Sequence, residues 1–124
     1  MAKILVVEDE AVLQKALADM LAETEFEVAQ AVDGEQAIEK AHSEKPDLIL
    51  LDLVLPKKHG LEVLQALKTD DATKAIPVII LTNLEDKDDI SRALELGART
   101  YLVKANYDMK EVIAKVREAL THAG

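Results

Sequence analysis

Short apolar runs alternate along the chain with stretches whose apolar residues recur every three or four positions. The runs are Ile4 to Val7, a weaker Val28-Ala29, Leu48 to Leu51, Val78 to Leu81 and Tyr101 to Val103. Three are nearly continuous in Val, Ile and Leu, the composition of strands covered on both faces in a parallel sheet. Between the runs, Leu13, Ala16, Leu17, Met20 and Leu21 form a helical stripe, repeated near the end by Met109, Val112, Ile113, Val116 and Leu120. Shorter helices are predicted over Glu35 to His42, Leu61 to Lys68 and Lys87 to Leu96, the last closed by Gly97 as a C-cap. Strand and helix thus alternate five times. That order predicts an α/β fold, a (βα)5 doubly wound five-stranded parallel sheet of strand order 2-1-3-4-5 with helices on both faces. Ligands of such sheets sit beyond the carboxyl ends of the strands, near the switch point between strands 1 and 3.

The predicted strand ends carry chemistry. Strand 1 ends in Glu8-Asp9-Glu10, strand 3 in Asp52, strand 4 in Thr82-Asn83 and strand 5 in Lys104. Each has an ordinary role when taken alone: acids ahead of a helix cap it and favour its dipole, a threonine closes a strand and a lysine meets solvent. Asp52 is harder to explain that way, because it follows four apolar residues and a charge at the end of a buried strand requires compensation. Together the acids suggest a divalent-cation site, and hard oxygen ligands suit Mg²⁺. A cation would relieve the mutual repulsion of the carboxylates and neutralise an incoming phosphoryl group. Asp52 could then act as a carboxylate nucleophile, with Lys104 and the Thr82 hydroxyl on the phosphoryl oxygens.

Composition narrows the choice. The 24 acids outnumber the 15 Lys and Arg for a net charge of −9, and the aromatics are only Phe26, Tyr101 and Tyr107. Both facts argue against direct nucleic-acid binding, by backbone attraction or by base stacking. Cysteine is absent, which removes disulfides, thiolate zinc sites and cysteine nucleophiles. No apolar run approaches a membrane span, and nothing resembles a targeting segment.

The segments I-L-V-V-E-D-E, D-L-I-L-L-D-L-V-L-P-x-x-x-G-L-E-V-L, V-I-I-L-T and L-G-A-R-T-Y-L-V-K, in this order and spacing, resemble the receiver domain of two-component response regulators. The likeness runs from Lys3 to about Leu120 and implies a flavodoxin-like, CheY-like fold, with residues 1–124 as one receiver domain. By position it implies that Asp52 is the phosphoacceptor and that Glu8 and Asp9 are the acidic pair, Asp9 being the direct Mg²⁺ ligand. The Val54 backbone carbonyl becomes a further metal ligand, Thr82 and Tyr101 the switch pair, and Lys104 the phosphoryl-binding lysine. The implied partners are a histidine kinase or histidine-phosphotransfer protein and a downstream protein target. The target would be met by the face of the fourth helix, fifth strand and fifth helix. The resemblance also implies a cytoplasmic monomer or weak homodimer, without nucleic-acid or membrane contact, that assists its own phosphorylation and dephosphorylation rather than acting as an enzyme.

Several positions depart from the family pattern. Ala105 follows Lys104 where a cis proline is usual, and a trans bond is expected because cis costs a non-proline residue ~2.5–4 kcal/mol. Asn83 replaces a small residue beside Thr82 and is expected to gate access to Asp52. His59 occupies the turn before Gly60, and Glu8 replaces an aspartate, lengthening its reach. The fourth helix opens on Glu85-Asp86-Lys87-Asp88-Asp89, acids that suit its dipole.

Other readings fare less well. Neither G-x-G-x-x-G nor a Walker loop can be built from the four glycines. A haloacid-dehalogenase-type phosphatase would need an acid where Val54 stands, and no G-x-S-x-G elbow supports Ser/His/Asp catalysis. The remaining alternative is a pseudo-receiver, an interaction module that uses the fold without phosphorylation.

Overall fold

The computed structural model describes residues 2–55, 59–82, 87–103 and 108–121. Its elements follow in the order β1 (Lys3–Val7), α1 (Ala11–Ala22), β2 (Glu27–Ala31), α2 (Gly34–Ser43), β3 (Leu48–Asp52), α3 (Gly60–Lys68), β4 (Val78–Thr82), α4 (Lys87–Glu95), β5 (Thr100–Val103) and α5 (Met109–Thr121). All four strand pairings are parallel, and the sheet order is β2-β1-β3-β4-β5, as the alternation predicts. The central strands β3 and β4 are buried at every position, which is why they read as unbroken apolar runs. The edge strand β2 is half solvated and admits Glu27 and Gln30, so only Val28-Ala29 stands out in the sequence.

Alternation along the strands divides the core into two layers. Leu5, Val7, Ile49, Leu51, Val78 and Ile80 point toward α2, α3 and α4, meeting Ala37, Val63, Leu64, Leu67 and Ala93. Ile4, Val6, Leu48, Leu50, Ile79, Leu81 and Leu102 point the other way, toward Leu17 and Leu21 of α1 and Val112, Val116 and Ala119 of α5. On α1 the buried positions are Gln14, Leu17, Ala18 and Leu21. The face is turned about one position from the predicted stripe, leaving Leu13, Ala16 and Met20 on its margin.

The chain changes direction where the sequence signals it. After α4, Gly97 has φ +112°, Gly97 N–H donates to Leu94 O at 3.1 Å and Ala98 N–H to Ala93 O at 3.0 Å. This Schellman closure leads directly into β5. At the start of α2, Asp33 Oδ1 accepts from Gln36 N–H at 2.8 Å while Gln36 Oε1 accepts from Val32 N–H at 3.1 Å, a reciprocal cap.

One staple far from the strand ends is sensitive to pH. His42 of α2 places Nδ1 2.9 Å from Ile38 O and Nε2 2.7 Å from Asp70 Oδ2 in the α3–β4 connection. Both ring nitrogens face acceptors. The Ile38 carbonyl, then Asp70, raise the imidazole above its ordinary value near 6.5. The Ala72 N–H, then His42, lower Asp70 below the usual carboxylate value. A raised histidine stabilises the fold below its unfolded pKa and ceases to do so as pH climbs through the folded value. A lowered aspartate does so above its unfolded pKa, and its contribution disappears as pH falls through the folded value. The pair is therefore most stabilising between about pH 4 and 6.5. In urea denaturation from pH 5 to 8, His42→Gln is expected to flatten the decline in stability on the alkaline side. Parallel curves for parent and variant would show that the pair contributes nothing.

Candidate functional site

Two neighbouring strands deliver three acids to one point at the carboxyl edge of the sheet. Glu8 and Asp9 follow β1, and Asp52 is the last residue of its neighbour β3. Each offers one carboxylate oxygen, and these three oxygens lie within 4.8 Å of one another. Glu8 is fully buried and Asp52 is 2% exposed, whereas Asp9 is open to solvent. The donor set is three carboxyl groups, all oxygen, with one ligand on the solvent side, a combination that fits a hard divalent cation keeping part of its water shell.

The loops around these acids are held by backbone bonds. Glu8 N–H donates to Ala31 O at 3.1 Å, and Glu10 N–H donates to Glu8 Oε2 at 3.2 Å. Glu10 occupies the N-cap of α1, but its side chain makes no capping bond. The acidic run thus folds inward at Glu8 rather than capping the helix. Beyond Asp52, Val54 N–H donates to Asp52 Oδ1 at 3.1 Å, wrapping the loop around the carboxylate. The Val54 side chain stands 63% exposed beside it.

Gly60 closes that loop. Its N–H donates to Leu53 O at 2.8 Å, and a Cβ at this position would lie 2.5 Å from Leu53 Cα and 2.6 Å from Asp52 O. Helix α3 therefore starts in backbone contact with the residue that bears the central acid. His59 caps this helix, its Nδ1 accepting from Leu61 N–H at 3.1 Å, with Nε2 3.9 Å from Asp89 of α4.

Thr82 ends β4 next to β3 and is 4% exposed. Register pairs Thr82 with Val103 and Ile80 with Tyr101. Alternation sets Thr82 and Tyr101 on the sheet face that carries α2, α3 and α4, opposite the face taken by Leu81 and Leu102. Tyr101 is 38% exposed on that face. Asn83, Lys104 and the Lys104–Ala105 bond lie outside the described residues, as do Glu85 and Asp86. Asp88 and Asp89 do sit in the first turn of α4, where they suit its dipole.

Two residues near this site make contacts that the sequence does not disclose. Gly60 stands in the D-L-V-L-P-x-x-x-G motif, but the spacing alone does not say that the loop folds back on the Asp52–Leu53 backbone seven residues earlier. Gln14 is 7% exposed inside α1, at the spacing of Leu17, Ala18 and Leu21. A lone amide on a buried helix face is the signal that could have marked it.

Among the described residues no helix is long and apolar enough to cross a membrane. The family model described as the response regulator receiver domain matches residues 4–117. The alkaline phosphatase synthesis transcriptional regulatory protein PhoP of Bacillus subtilis is 41% identical over 118 residues, covering 95% of this chain and 48% of that protein. The chain spans about half the length of the curated relatives it matches. Among solved structures, the receiver domain of a Pseudomonas aeruginosa sensor histidine kinase, with a magnesium ion coordinated in its active-site cleft, is 28% identical with a TM-score of 0.88, covering 97% of this chain and 98% of that one. The phosphorylated cyanobacterial phytochrome response regulator RcpA is 32% identical with a TM-score of 0.83, covering 99% of this chain and 96% of that one.

Proposed function

The chain belongs to the response-regulator receiver domain family, and from that premise we propose that it is a signalling switch phosphorylated on Asp52 in the presence of Mg²⁺. Receiver domains are phosphoacceptor switches rather than classical enzymes. The observation that carries the reading is the convergence of Glu8, Asp9 and Asp52, two of them buried, at the switch point of the sheet.

Glu8, Asp9, Asp52 and the Val54 carbonyl would hold the cation, which supplies charge neutralisation to the carboxylates and to the arriving phosphoryl group. An Asp52 carboxylate oxygen attacks the phosphorus of a phosphohistidine on a histidine kinase or phosphotransfer protein. The O–P bond forms as the P–N bond breaks, and the electron pair leaves with the imidazole nitrogen, which takes up a proton. Lys104 and the Thr82 hydroxyl bind the phosphoryl oxygens, and Asn83 gates access to them. Small phosphodonors serve as well, because the receiver's own residues assist the transfer.

Phosphorylation adds about 1.5 to 2 negative charges to an already anionic pocket. Thr82 moves toward them and Tyr101, half-exposed on the same sheet face, fills the space vacated. That motion reshapes the face of α4, β5 and α5 presented to a downstream protein. About 5.5 kcal/mol of differential stabilisation turns a 1:99 population into 99:1, so the two states are separated by only a few kcal/mol. The proposed setting is the cytoplasm, with residues 1–124 acting as one receiver domain, monomeric or weakly dimeric.

Beryllofluoride with Mg²⁺ tests this reading by amide NMR. The expected result is shifts at Asp9, Asp52 and Thr82 that continue through β5 to Tyr101, and that stop at the pocket in Thr82→Val. A spectrum unchanged by both reagents would mark a pseudo-receiver. Shifts identical in Thr82→Val would overturn the switch.

A further inference from the structure

We infer that Gln14 is a positioning residue for the cation site, holding the Glu8–Asp9 peptide in the orientation that brings its two carboxylates to Asp52. The inference rests on the Mg²⁺ role proposed above. Gln14 lies one turn into α1 and is 7% exposed. Its Nε2 donates to two backbone carbonyls, Glu8 O at 3.0 Å and Ala31 O at 2.8 Å. Ala31 O also accepts from Glu8 N–H at 3.1 Å. The amide of one side chain thus ties the end of β1 to the end of β2, and Glu8 is gripped at both its N–H and its carbonyl.

The grip has a direction. The Glu8 carbonyl belongs to the peptide that begins Asp9, so fixing its plane fixes where the Asp9 side chain leaves the backbone. Glu8 is buried and cannot swing into solvent to relieve repulsion, and its Oε2 already accepts from Glu10 N–H. Three carboxylate oxygens within 4.8 Å repel one another before a cation arrives, and a β1–α1 turn held only by its backbone would relax outward. Two N–H donors on a planar amide oppose that relaxation without adding a positive charge that would compete with the cation. Residues that orient ligands from behind commonly change metal affinity by about 10–100-fold when removed.

The test compares Mg²⁺ titrations of the parent, Gln14→Met and Thr73→Val, followed by the Glu8 and Asp9 amide resonances. Hydrogen exchange at the Glu8 amide is measured without metal. Thr73 is the control: it is 1% exposed, and its Oγ1 donates to Leu67 O at 2.7 Å, away from the acids. Gln14→Met is expected to weaken Mg²⁺ binding about tenfold and to speed Glu8 exchange, while Thr73→Val lowers Tm and leaves Mg²⁺ affinity at the parental value. Should Gln14→Met not fold, Gln14→Asn keeps the amide but shortens the reach, and the same weakening is expected. Mg²⁺ affinity within twofold of the parent in a folded Gln14 variant would reduce Gln14 to a structural role and overturn the inference alone. A parent that binds no Mg²⁺ would overturn the cation reading and this inference with it.

Discussion

Asp52→Asn is expected to take up no phosphoryl group from acetyl phosphate and to bind Mg²⁺ at least about tenfold more weakly than the parent. Loss of an orienting neighbour already costs about 10–100-fold in metal affinity, and loss of a direct ligand costs no less. The amide keeps the shape of the side chain and can still accept the Val54 N–H bond at Oδ1, so the loop is expected to hold. What disappears is the anionic oxygen that attacks phosphorus and one negative charge of the three that attract the cation. Intact mass spectrometry checks the first effect and calorimetric titration the second. Phosphoryl uptake by Asp52→Asn equal to the parent's would place the acceptor elsewhere.

Gly60→Ala is expected to destabilise the fold at the acid-bearing loop. Its Cβ would fall 2.5 Å from Leu53 Cα and 2.6 Å from Asp52 O, both of them backbone atoms that cannot rotate aside. Overpacking of this kind costs about 1–3 kcal/mol, and a contact this short belongs at the upper end. For a domain of this size that is a fall in Tm of roughly 10 °C. The strain falls on the peptide that carries Asp52, so the variant should also be phosphorylated more slowly at a temperature where it is fully folded. Thermal melts with single-turnover phosphorylation read both effects. A melt within a degree or two of the parent would mean that α3 simply moves back, and that the close approach does not help to fix the acid.

The same residues show what the sequence discloses. Leu48 to Leu51 and Val78 to Leu81 are legible as strands because burial on both faces leaves no polar position to interrupt them. Asp52 and Thr82 at their ends, like Glu8 and Asp9 after β1, are legible because topology alone sends every parallel strand to the same edge. Gly97 is legible because a helix stop with positive φ favours glycine. The extent of β2 is hidden by the polar residues an edge strand tolerates. The rotation of α1 by one position is hidden because Leu13, Ala16 and Met20 suit the margin of a buried face as well as its centre. Gly60 is visible in its motif but its close approach to Leu53 is not, and periodicity carries no information about which carbonyls the Gln14 amide will meet. His42 is similar: its partner Asp70 lies 28 residues away, and only the packing of α2 beside the α3–β4 connection brings them together.

The central claim is that the acidic edge of the sheet becomes a phosphoryl acceptor when a divalent cation is present. Intact mass after incubation with phosphoramidate, with Mg²⁺ in one sample and excess chelator in the other, measures it most directly. The account predicts the mass of one added phosphoryl group in the first sample, mapped to the peptide containing Asp52, and none in the second. An unchanged mass in both samples, from a protein that is folded and has bound Mg²⁺, would contradict it.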